Sequence, residues 1–491
     1  MEMARTRRAS FRSLFLGSSL VLVALATPRA AEASGYLTAR FGGDHGTPAM
    51  PNTYAVYFNP AALGGTKGTT IVGDAGILVR YAKYTRTVDA LTPSDPAYLQ
   101  DQDYVKANTG NGTLLNLLAL PFIGVNTDFG TKNLRGGYAF YIPFGGLATW
   151  DRDKNNVPGM PGSSDGPQRW HNISGQILAI YNTLALAYKF GDSGFSIGAN
   201  VSPIIHNVKT VRARNVDGSD DTVHNGTLTE GRSLVSATGF NLNAAIGLYW
   251  EVNQQLHLGL SYSAPPGFYS DTRMKGELRQ QLGTASAEAD GAGQKIDFFQ
   301  TYPDILRLGG TYMFPNRKLE MRADFEYVRW SVFKRQCVVA RGETCNVADD
   351  GRDLSGGKVI LNIPRNWNDA IGVRVGPGYH VNDQLELFGS LGMTTPAVPK
   401  STIDASTIDA LRLYFAAGAR YEISKHFAIA GSYNHIHFFN VNTNGENDQN
   451  IERFPARAPG GGDYNVSRSP SADGKYRSQI GFVNVNLAYT F

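Results

Sequence analysis

The C-terminal stretch Gly481-Phe-Val-Asn-Val-Asn-Leu-Ala-Tyr-Thr-Phe491 decides the fold. Apolar side chains occupy every second position from Val483 to Phe491, and small or polar residues fill the places between them. This period of two is that of a β-strand with one apolar and one polar face. A terminal strand of this kind that ends on Phe is typical of barrels inserted into the bacterial outer membrane, so we expect the barrel-assembly machinery as a partner. The last strand of a soluble β-protein is the alternative.

The first 33 residues have the pattern of a signal peptide. Four arginines lie between Arg5 and Arg12, an apolar run extends from Leu14 to Ala26, and Ala31 and Ala33 form a small-residue cleavage site. We therefore expect a mature chain that begins near residue 34. Without residues 1–33, which hold five Arg and two Glu, the formal charge falls from +4 to +1. That charge gives no basic excess that would indicate nucleic acid as a partner.

The composition favours sheet over helix. The chain holds 55 Gly, 24 Tyr and 25 Phe, and after the leader it has no apolar run long enough to span a bilayer as a helix. Its only two cysteines, Cys337 and Cys345, fall in one long predicted extracellular loop. An exported protein meets an oxidising compartment, so we expect a structural disulfide between them, with two free thiols as the alternative.

Alternation, aromatic and β-branched content and turn residues predict about fourteen strands, an even number, as closed bacterial barrels have. The alternation is clear in 319–327, where Leu319, Met321 and Phe325 oppose Glu320, Arg322 and Asp324. The predicted spans are 69–83, 113–127, 134–150, 174–190, 194–213, 233–251, 256–275, 304–314, 319–333, 368–380, 384–395, 410–423, 427–440 and 479–491.

The connections between these strands alternate strictly in length. Short turns such as Gly191–Gly194 follow the even-numbered strands, and connections of about fourteen to nearly forty residues follow the odd-numbered ones. Periplasmic turns and extracellular loops produce this pattern, which also puts both termini in the periplasm. Trp150 and Trp330 fall at predicted outer strand ends, and Trp250 and Tyr489 near the inner rim, as aromatic girdles require. The sequence therefore predicts an all-β, fourteen-stranded antiparallel transmembrane β-barrel in the bacterial outer membrane.

Residues 34–68 precede the first strand and are rich in small residues, Pro and Gly. A barrel of this width would otherwise be an open hole, so we expect this segment to fold into the lumen as a hatch, or plug. A flexible periplasmic tail is the alternative. The predicted organisation is a signal peptide over 1–33, a hatch over 34–68 and a barrel over 69–491.

Several segments resemble, in order, the FadL-like outer-membrane transporters of long-chain fatty acids and aromatic hydrocarbons. Phe58-Asn59-Pro60-Ala61-Ala62-Leu63 is similar to the Asn-Pro-Ala motif of the family's N-terminal hatch, and Tyr141-Ile-Pro-Phe-Gly145 to its third strand. Tyr302-Pro-Asp304, Tyr327-Val-Arg-Trp-Ser331 and Thr395-Pro396 resemble its later strand boundaries and loop. The resemblance covers nearly the whole mature chain. It implies a barrel plugged by a hatch that contains Asn59, Pro60 and Ala61, and uptake of a lipophilic small molecule. No energy-coupling box appears near Ser34, so we expect passive diffusion.

Within the predicted third strand, Pro143 is followed by Phe144, Gly145 and Gly146. Proline removes a ladder donor and glycine weakens pairing, so we expect a bulge or kink in the wall there. A harmless irregularity is the alternative. The resemblance implies that a kink in this strand opens a lateral gate from the lumen to the bilayer.

A fatty-acid substrate would need a cationic partner for its carboxylate. The candidates on predicted lumen faces are Arg307, Arg322, Arg374, Arg412 and Arg420, although pairing with lumen acids is the commoner fate of such residues. His435-Ile-His437 lacks a third ligand, so we expect no metal site, and we expect no cofactor.

Three other functions compete with hydrophobic uptake. A general porin would lack the hatch, and a surface receptor or adhesin could use the large loops. The sequence contains no Gly-x-Ser-x-Gly motif or metal-ligand cluster, so we expect no enzyme. We expect a monomer that contacts outer-membrane lipid and lipopolysaccharide. The sequence leaves the identity of the hydrophobic substrate open.

Overall fold

The computed structural model describes residues 40–215, 217–224, 226–281, 293–448, 454 and 463–491. The predicted signal peptide and residues 34–39 of the predicted hatch lie outside these ranges. Fourteen antiparallel strands form a closed barrel, which confirms the predicted fold class. They are β1 Thr69–Arg86, β2 Gly110–Thr127, β3 Leu134–Thr149, β4 Ser174–Lys189, β5 Phe195–Arg214, β6 Gly231–Glu251, β7 Leu256–Ser263, β8 Ile305–Met313, β9 Leu319–Val328, β10 Ala370–His380, β11 Leu385–Thr394, β12 Arg412–Glu422, β13 Phe427–Phe438 and β14 Lys475–Thr490.

Closure comes from the pairing of β14 with β1, in register from Thr70↔Thr490 to Thr85↔Lys475. In β14, Val483, Val485, Leu487 and Tyr489 face outward and are 44–46% exposed. Phe482 and Asn484, at alternate positions, are 1% exposed. The period of two in the C-terminal stretch therefore separates a membrane face from a lumen face.

Short turns join the strands at one end, and long loops join them at the other. The turns are 128–133, 190–194, 252–255, 314–318, 381–384 and 423–426. The loops are 87–109, 150–173, 215–230, 264–304, 329–369, 395–411 and 439–474. The protein lies in the outer membrane. β1 begins and β14 ends at the end of the short turns, which is the periplasmic side of such a barrel. No helix among the described residues is both long and apolar enough to cross a bilayer.

The predicted strand over 256–275 is too long, because the barrel strand ends at Ser263 and the chain leaves the barrel there. Pro265-Pro266-Gly267 follows, and two prolines remove the ladder donors that a continuous strand needs. The chain then enters a four-stranded extension that continues the wall above the membrane and pairs with the outer half of β6. Its strands are Thr272–Gln281, Gln294–Gln300, Arg335–Ala340 and Val359–Pro364.

The predicted strand over 319–333 is too long. It ends at Val328, and a 3-10 turn, Trp330–Val332, follows. The outer aromatic girdle is also assigned wrongly, because Trp150 and Trp330 are 2% and 0% exposed and point into the protein. Trp250 and Tyr489, at the inner rim, are 46% and 44% exposed and face outward.

The remaining elements are short. The helices are α1 Ala55–Phe58 and α2 Gln102–Asn108. The 3-10 turns are Gly43–His45, Pro60–Gly65, Val88–Ala90, Pro96–Gln100, Pro161–Asp165, Pro167–Trp170, Trp330–Val332 and Asn465–Ser467. Val223–His224 pairs with Thr227–Leu228, and Val441–Asn442 pairs with β14.

Candidate functional site: a lumen cavity, its hatch and a gap in the wall

Residues 40–66, here called the hatch segment, lie inside the barrel. Its α1 helix and the 3-10 turn Pro60–Gly65 meet at Asn59, whose side-chain oxygen accepts a hydrogen bond from Ala61 N at 3.2 Å. The Asn59 amide donates to Pro48 O at 2.8 Å within the segment and to Leu248 O at 3.0 Å in the wall. Asn59 thus caps the turn and fixes it to β6, while Pro60 stands at the first turn position, where no backbone donor is needed.

Small wall residues let the hatch backbone approach closely. A methyl group added to Gly198 of β5 would lie 2.5 Å from Ala61 N, and one added to Gly259 of β7 would lie 2.0 Å from Pro48 O. Contacts this short are excluded by van der Waals repulsion, so these positions require glycine for steric reasons. Ala61 in turn is fully buried against this wall. The motif Asn59-Pro60-Ala61 is therefore a docking element in this structure.

Charged contacts hold the start of the hatch segment to the other wall. Asp44 Oδ1 lies 3.0 Å from Arg374 Nη1, and His45 Nε2 lies 2.9 Å from Glu386 Oε2. Arg40 Nη1 lies 3.5 Å from Glu326 Oε1. Burial lowers the pKa of His45, so this hatch histidine is neutral at pH 7.

The five arginines predicted as carboxylate partners all contact carboxylates of the protein itself. The nearest carboxylates are Glu326 for Arg307 at 3.8 Å, Glu320 and Glu386 for Arg322 at 2.5 Å, Asp324 for Arg374 at 2.8 Å, Asp409 for Arg412 at 2.8 Å, and Glu422 for Arg420 at 3.3 Å. A buried guanidinium that is already neutralised is a poor site for a second anion.

One group of side chains has the composition of a metal site. Ligand atoms of Glu320, His380 and Glu386 lie within 4.8 Å of one another. Arg322 Nη2 lies 2.5 Å from both carboxylates, so a guanidinium already occupies the position between them. Two carboxylates held by one arginine form a buried ion-pair network, and a metal ion would have to displace Arg322. The pair His435 and His437, where the sequence led us to expect no metal site, lies on β13, and His435 Nδ1 is 3.1 Å from Tyr433 Oη.

The wall between β2 and β3 is interrupted at the predicted kink. The β2–β3 ladder runs only from Thr127↔Gly136 to Phe122↔Tyr141. On the other side of β3, the register slips, since Tyr141 pairs with Tyr181 but Phe144 pairs with Ala179. One extra residue in β3, within Ile142-Pro143, therefore makes a bulge.

Polar contacts close this interruption at its outer end. Asn116 of β2 donates to Thr149 O at 3.1 Å and accepts from Thr149 N at 2.9 Å, and Asp151 N donates to Thr113 O at 2.8 Å. The result is a bounded gap between 117–121 of β2 and 142–148 of β3. The exposed Leu117 borders it on the membrane side, 65% exposed.

A cavity of about 100 Å³ lies inside the barrel on the lumen side of the gap. Its apolar lining residues are Phe144, Ile177, Val208, Val235, Phe298, Trp330, Phe333, Val338, Leu361, Ile363 and Trp367. Phe144, just past the bulge, packs on Tyr302 with ring centroids 5.5 Å apart and on Trp330 at 5.9 Å. The side chain that follows Pro143 therefore forms part of the cavity wall.

A second, much smaller space of about 10 Å³ borders the hatch and is lined by Tyr57, Tyr141 and Tyr181, among others. Pro303 lines it too, and its chain neighbour Tyr302 packs on Phe144 of the larger cavity. His206 is fully buried beside Tyr302, with ring centroids 4.6 Å apart. Aromatic rings thus connect the two spaces at the level of the bulge.

The outer end of the larger cavity is polar. Arg212, Arg365, Asp404 and His171 line it, and Arg365 Nη1 lies 2.8 Å from Asp404 Oδ2. Burial raises the pKa of Asp404, but the charge of Arg365 and the hydrogen bonds from Arg365 and Ser406 are among several effects that together lower it to about 2. Burial lowers the pKa of His171 to about 4. At pH 7 two guanidinium groups therefore face one carboxylate and a neutral imidazole.

Arg212 is the guanidinium that sequence inspection missed. Within the part of the chain that the structure describes, no carboxylate lies within 4.0 Å of it. Only its place on the lumen face of β5, two residues beyond Thr210 and four beyond Val208, marks it in the sequence. The absence of a partner is a tertiary property that alternation does not reveal.

The predicted cysteine pair lies in the extracellular region. Cys337 and Cys345 are joined by a disulfide bond, with their Cα atoms 6.1 Å apart. Cys337 packs with Val339, Val359 and Val466 on the side of the extension that faces away from the cavity. The bond therefore fastens a loop to the outer wall and does not contact the lining.

A fourteen-stranded barrel with a segment packed in its lumen and long extracellular loops defines the class of outer-membrane transport proteins. Residues 29–473 match the family of outer membrane protein transport proteins described as OMPP1/FadL/TodX, and the chain belongs to this family. It is a family of outer-membrane channels for hydrophobic substrates, and its members transport rather than catalyse.

Individual relatives are distant in sequence. The provisionally named outer membrane protein NMB0088 of Neisseria meningitidis serogroup B is 20% identical over 457 residues, which are 89% of each chain. A FadL homologue of Pseudomonas aeruginosa is similar in structure, with a TM-score of 0.69 and 16% identity, over 94% of this chain and 98% of that one. The toluene transporter TodX of Pseudomonas putida has a TM-score of 0.58 and 13% identity, over 95% of this chain and 100% of that one. These likenesses show a shared fold.

Proposed function

We propose that this protein takes up long-chain fatty acids or similar lipophiles with one anionic end, by passive diffusion, and releases them sideways through the gap between β2 and β3. In this proposal residues 34–68 act as the hatch, 69–491 form the channel, and Pro143, Phe144, Gly145 and Gly146 form the lateral gate. The observation that carries the proposal is the cavity, which joins an apolar wall at the bulge to Arg212 at the outer end, a cation without a carboxylate partner among the described residues.

The distance between the apolar and the cationic lining residues fits an extended amphiphile. Phe144 and His206 lie in one cross-strand row, because both pair with Ala179 of β4. Arg212 lies six residues farther out along β5, which corresponds to about 20 Å at 3.3 Å per residue. A chain laid along this wall would place a carboxylate at Arg212 and its apolar end beside Phe144. A small aromatic hydrocarbon would use only the apolar part.

A sideways exit is also energetically reasonable. The hatch segment fills the lumen below the cavity, so axial release would require both displacement of that segment and transfer of the chain into water. Exposure of an apolar chain to water costs about 0.8 kcal/mol per methylene. Release into the bilayer through the gap avoids that cost.

The cationic end is tested with Arg212→Gln, and its matched control is Arg214→Gln, which lies on the same face of the same strand but does not line the cavity. We expect Arg212→Gln to reduce uptake of labelled oleate at least tenfold in intact cells and to leave toluene uptake unchanged. The control should affect neither. Equal oleate uptake by the two variants would refute the anionic-end assignment.

The gate is tested by deletion of Pro143, which removes the extra residue of β3 and lets Ile142 pair with Ile180 while Phe144 keeps its pairing with Ala179. We expect loss of uptake of both substrates with an intact barrel. Pro203→Ala, a proline change in β5 where the ladder with β6 is continuous, is the control and should retain uptake. Full uptake after deletion of Pro143 would refute lateral release.

A further inference from the structure

A cluster of cations lies on the membrane side of the barrel where β14 closes onto β1. Lys83 of β1 and Arg477 of β14 are register partners, and Lys475 pairs with the next outward residue, Thr85. All three side chains share the outer face, because their neighbours Ala82, Tyr84, Tyr476 and Ser478 are at most 2% exposed and point inward. The seam patch is defined here as Lys83, Lys475 and Arg477.

The charge of the seam patch is not neutralised by the part of the chain that the structure describes. Among the described residues, no carboxylate lies within ion-pair distance of any of its three cations. Like charges directly opposite each other in a ladder destabilise the pairing. A further cation lies beside the seam patch. Thr113 is the register partner of Lys83 on β2, and Lys154 donates to Thr113 Oγ1 at 2.5 Å. Lys154 itself is paired with Asp151.

The height of the patch follows from the apolar band on β1. Outward residues from Ile71 to Tyr81 are apolar or glycine, and Ile71, Ile77 and Tyr81 are 45%, 47% and 43% exposed. Ten residues span about 33 Å along a strand, and a tilt of about 40° leaves about 25 Å along the membrane normal. That distance equals the whole apolar band of an outer-membrane barrel. Lys83, the next outward residue, therefore lies at the level of the outer-leaflet head groups.

We propose that the seam patch binds the phosphate groups of the phosphorylated glycolipid of the outer leaflet, lipopolysaccharide. A phosphate accepts hydrogen bonds from the fork of Arg477 while Lys83 and Lys475 supply point charges on either side. The acyl chains of the same lipid lie against the apolar band below, which ends in Tyr81. The site lies outside the barrel and does not depend on the proposed route through the lumen.

The test uses the whole mature protein in detergent, titrated with lipid A that carries both phosphates and followed by native mass spectrometry. Lys83→Gln with Arg477→Gln should weaken binding at least tenfold. The matched control, Lys318→Gln with Lys425→Gln, removes two exposed cations from periplasmic turns and should bind like wild type. Lys475→Gln alone provides a second variant and should weaken binding by a smaller factor.

The ligand is varied in parallel. Lipid A without phosphates should bind wild type as weakly as the seam variant binds the phosphorylated form, and inorganic phosphate at the same concentration should not compete. Equal binding of phosphorylated lipid A by the seam variant and the periplasmic control would overturn the site. Full competition by inorganic phosphate would overturn the assignment to a lipid.

Discussion

The substitution Gly198→Ala tests whether the hatch segment is docked against the wall as tightly as the structure shows. The added methyl carbon would lie 2.5 Å from Ala61 N and 2.6 Å from both Ala61 Cα and Pro60 C. All three are backbone atoms, so no side-chain rotation relieves the contact. Ordinary van der Waals contact begins at 3.4 Å, so the hatch backbone must retreat by about 0.9 Å.

Two effects of opposite sign determine the result. Alanine in place of glycine in a strand is favourable by about 0.5–1 kcal/mol when nothing opposes it. Overpacking of a filled site costs about 1–3 kcal/mol. We therefore expect Gly198→Ala to lower the free energy of unfolding by up to about 2 kcal/mol. In a variant that lacks residues 40–66, the same substitution should raise it by about 0.5–1 kcal/mol.

The assay is urea unfolding in lipid vesicles, followed by tryptophan fluorescence, together with conductance in planar bilayers. Gly73→Ala is the matched control, because Gly73 lies on the membrane face of β1 and an added methyl group meets no atom within 4 Å. Displacement of the hatch should raise the conductance of Gly198→Ala and leave that of Gly73→Ala unchanged. If Gly198→Ala stabilises the full-length protein as it does the hatch deletion, the tight docking is refuted.

Three further predictions concern charge, pH and the disulfide. Asp44→Asn should cost about 1–3 kcal/mol, because Arg374 stays buried with only Asp324 left, and bilayer conductance should rise as the hatch loosens; unchanged conductance would contradict the charged contact. Burial lowers the pKa of His171 from 6.5 to about 4, so the unfolded chain binds more protons between these values and stability falls as pH decreases through them. At pH 4.5 this effect lowers the free energy of unfolding by about 2–3 kcal/mol. His171→Gln should remove it, which thermal melts at about pH 7.5 and 4.5 would show. The Cys337–Cys345 bond joins residues eight positions apart. Its reduction should destabilise the closed loop by about 2–3 kcal/mol and expose the loop to protease, with no change in the heat resistance of the barrel.

The barrel could be predicted from sequence because its two surroundings are so different. Lipid on one side and a polar lumen on the other impose a period of two on every strand, and β14 shows it without interruption. The same rule fails above the membrane, where both faces of the extension are in contact with protein or water. The strand predicted over 256–275 was too long there. Thr272–Gln281 alternates like a barrel strand, but it belongs to the extension and pairs with the outer half of β6 and with Gln294–Gln300.

The candidate site was less accessible to sequence inspection. The bulge was predictable from Pro143, because a proline removes one hydrogen-bond donor from the ladder of a closed barrel. The arginines could not be ranked, since Arg374 and Arg212 look alike in sequence. Arg374 is neutralised by Asp44 and Asp324, which lie 330 and 50 residues away. Whether a buried cation has a partner depends on contacts across the barrel, and alternation within one strand carries no information about them.

The proposed exit through the gap does not depend on movement of the hatch segment. The hatch segment is attached to opposite walls by different means. It docks sterically on Gly198 and Gly259, and on the other wall it forms an ion pair from Asp44 and a hydrogen bond from His45 to Glu386. Steric docking is short-ranged and independent of charge, whereas an ion pair can be exchanged for another anion or cation of suitable geometry. A hatch that moves would therefore pivot on its glycine-docked part and release its charged start first. Such a movement opens space at the floor of the lumen, while the gap lies above it and stays bounded by the Asn116–Thr149 hydrogen bonds. An apolar substrate held beside Phe144 would meet the bilayer through the gap whether or not the hatch moved, which is why the proposed exit requires no energy source.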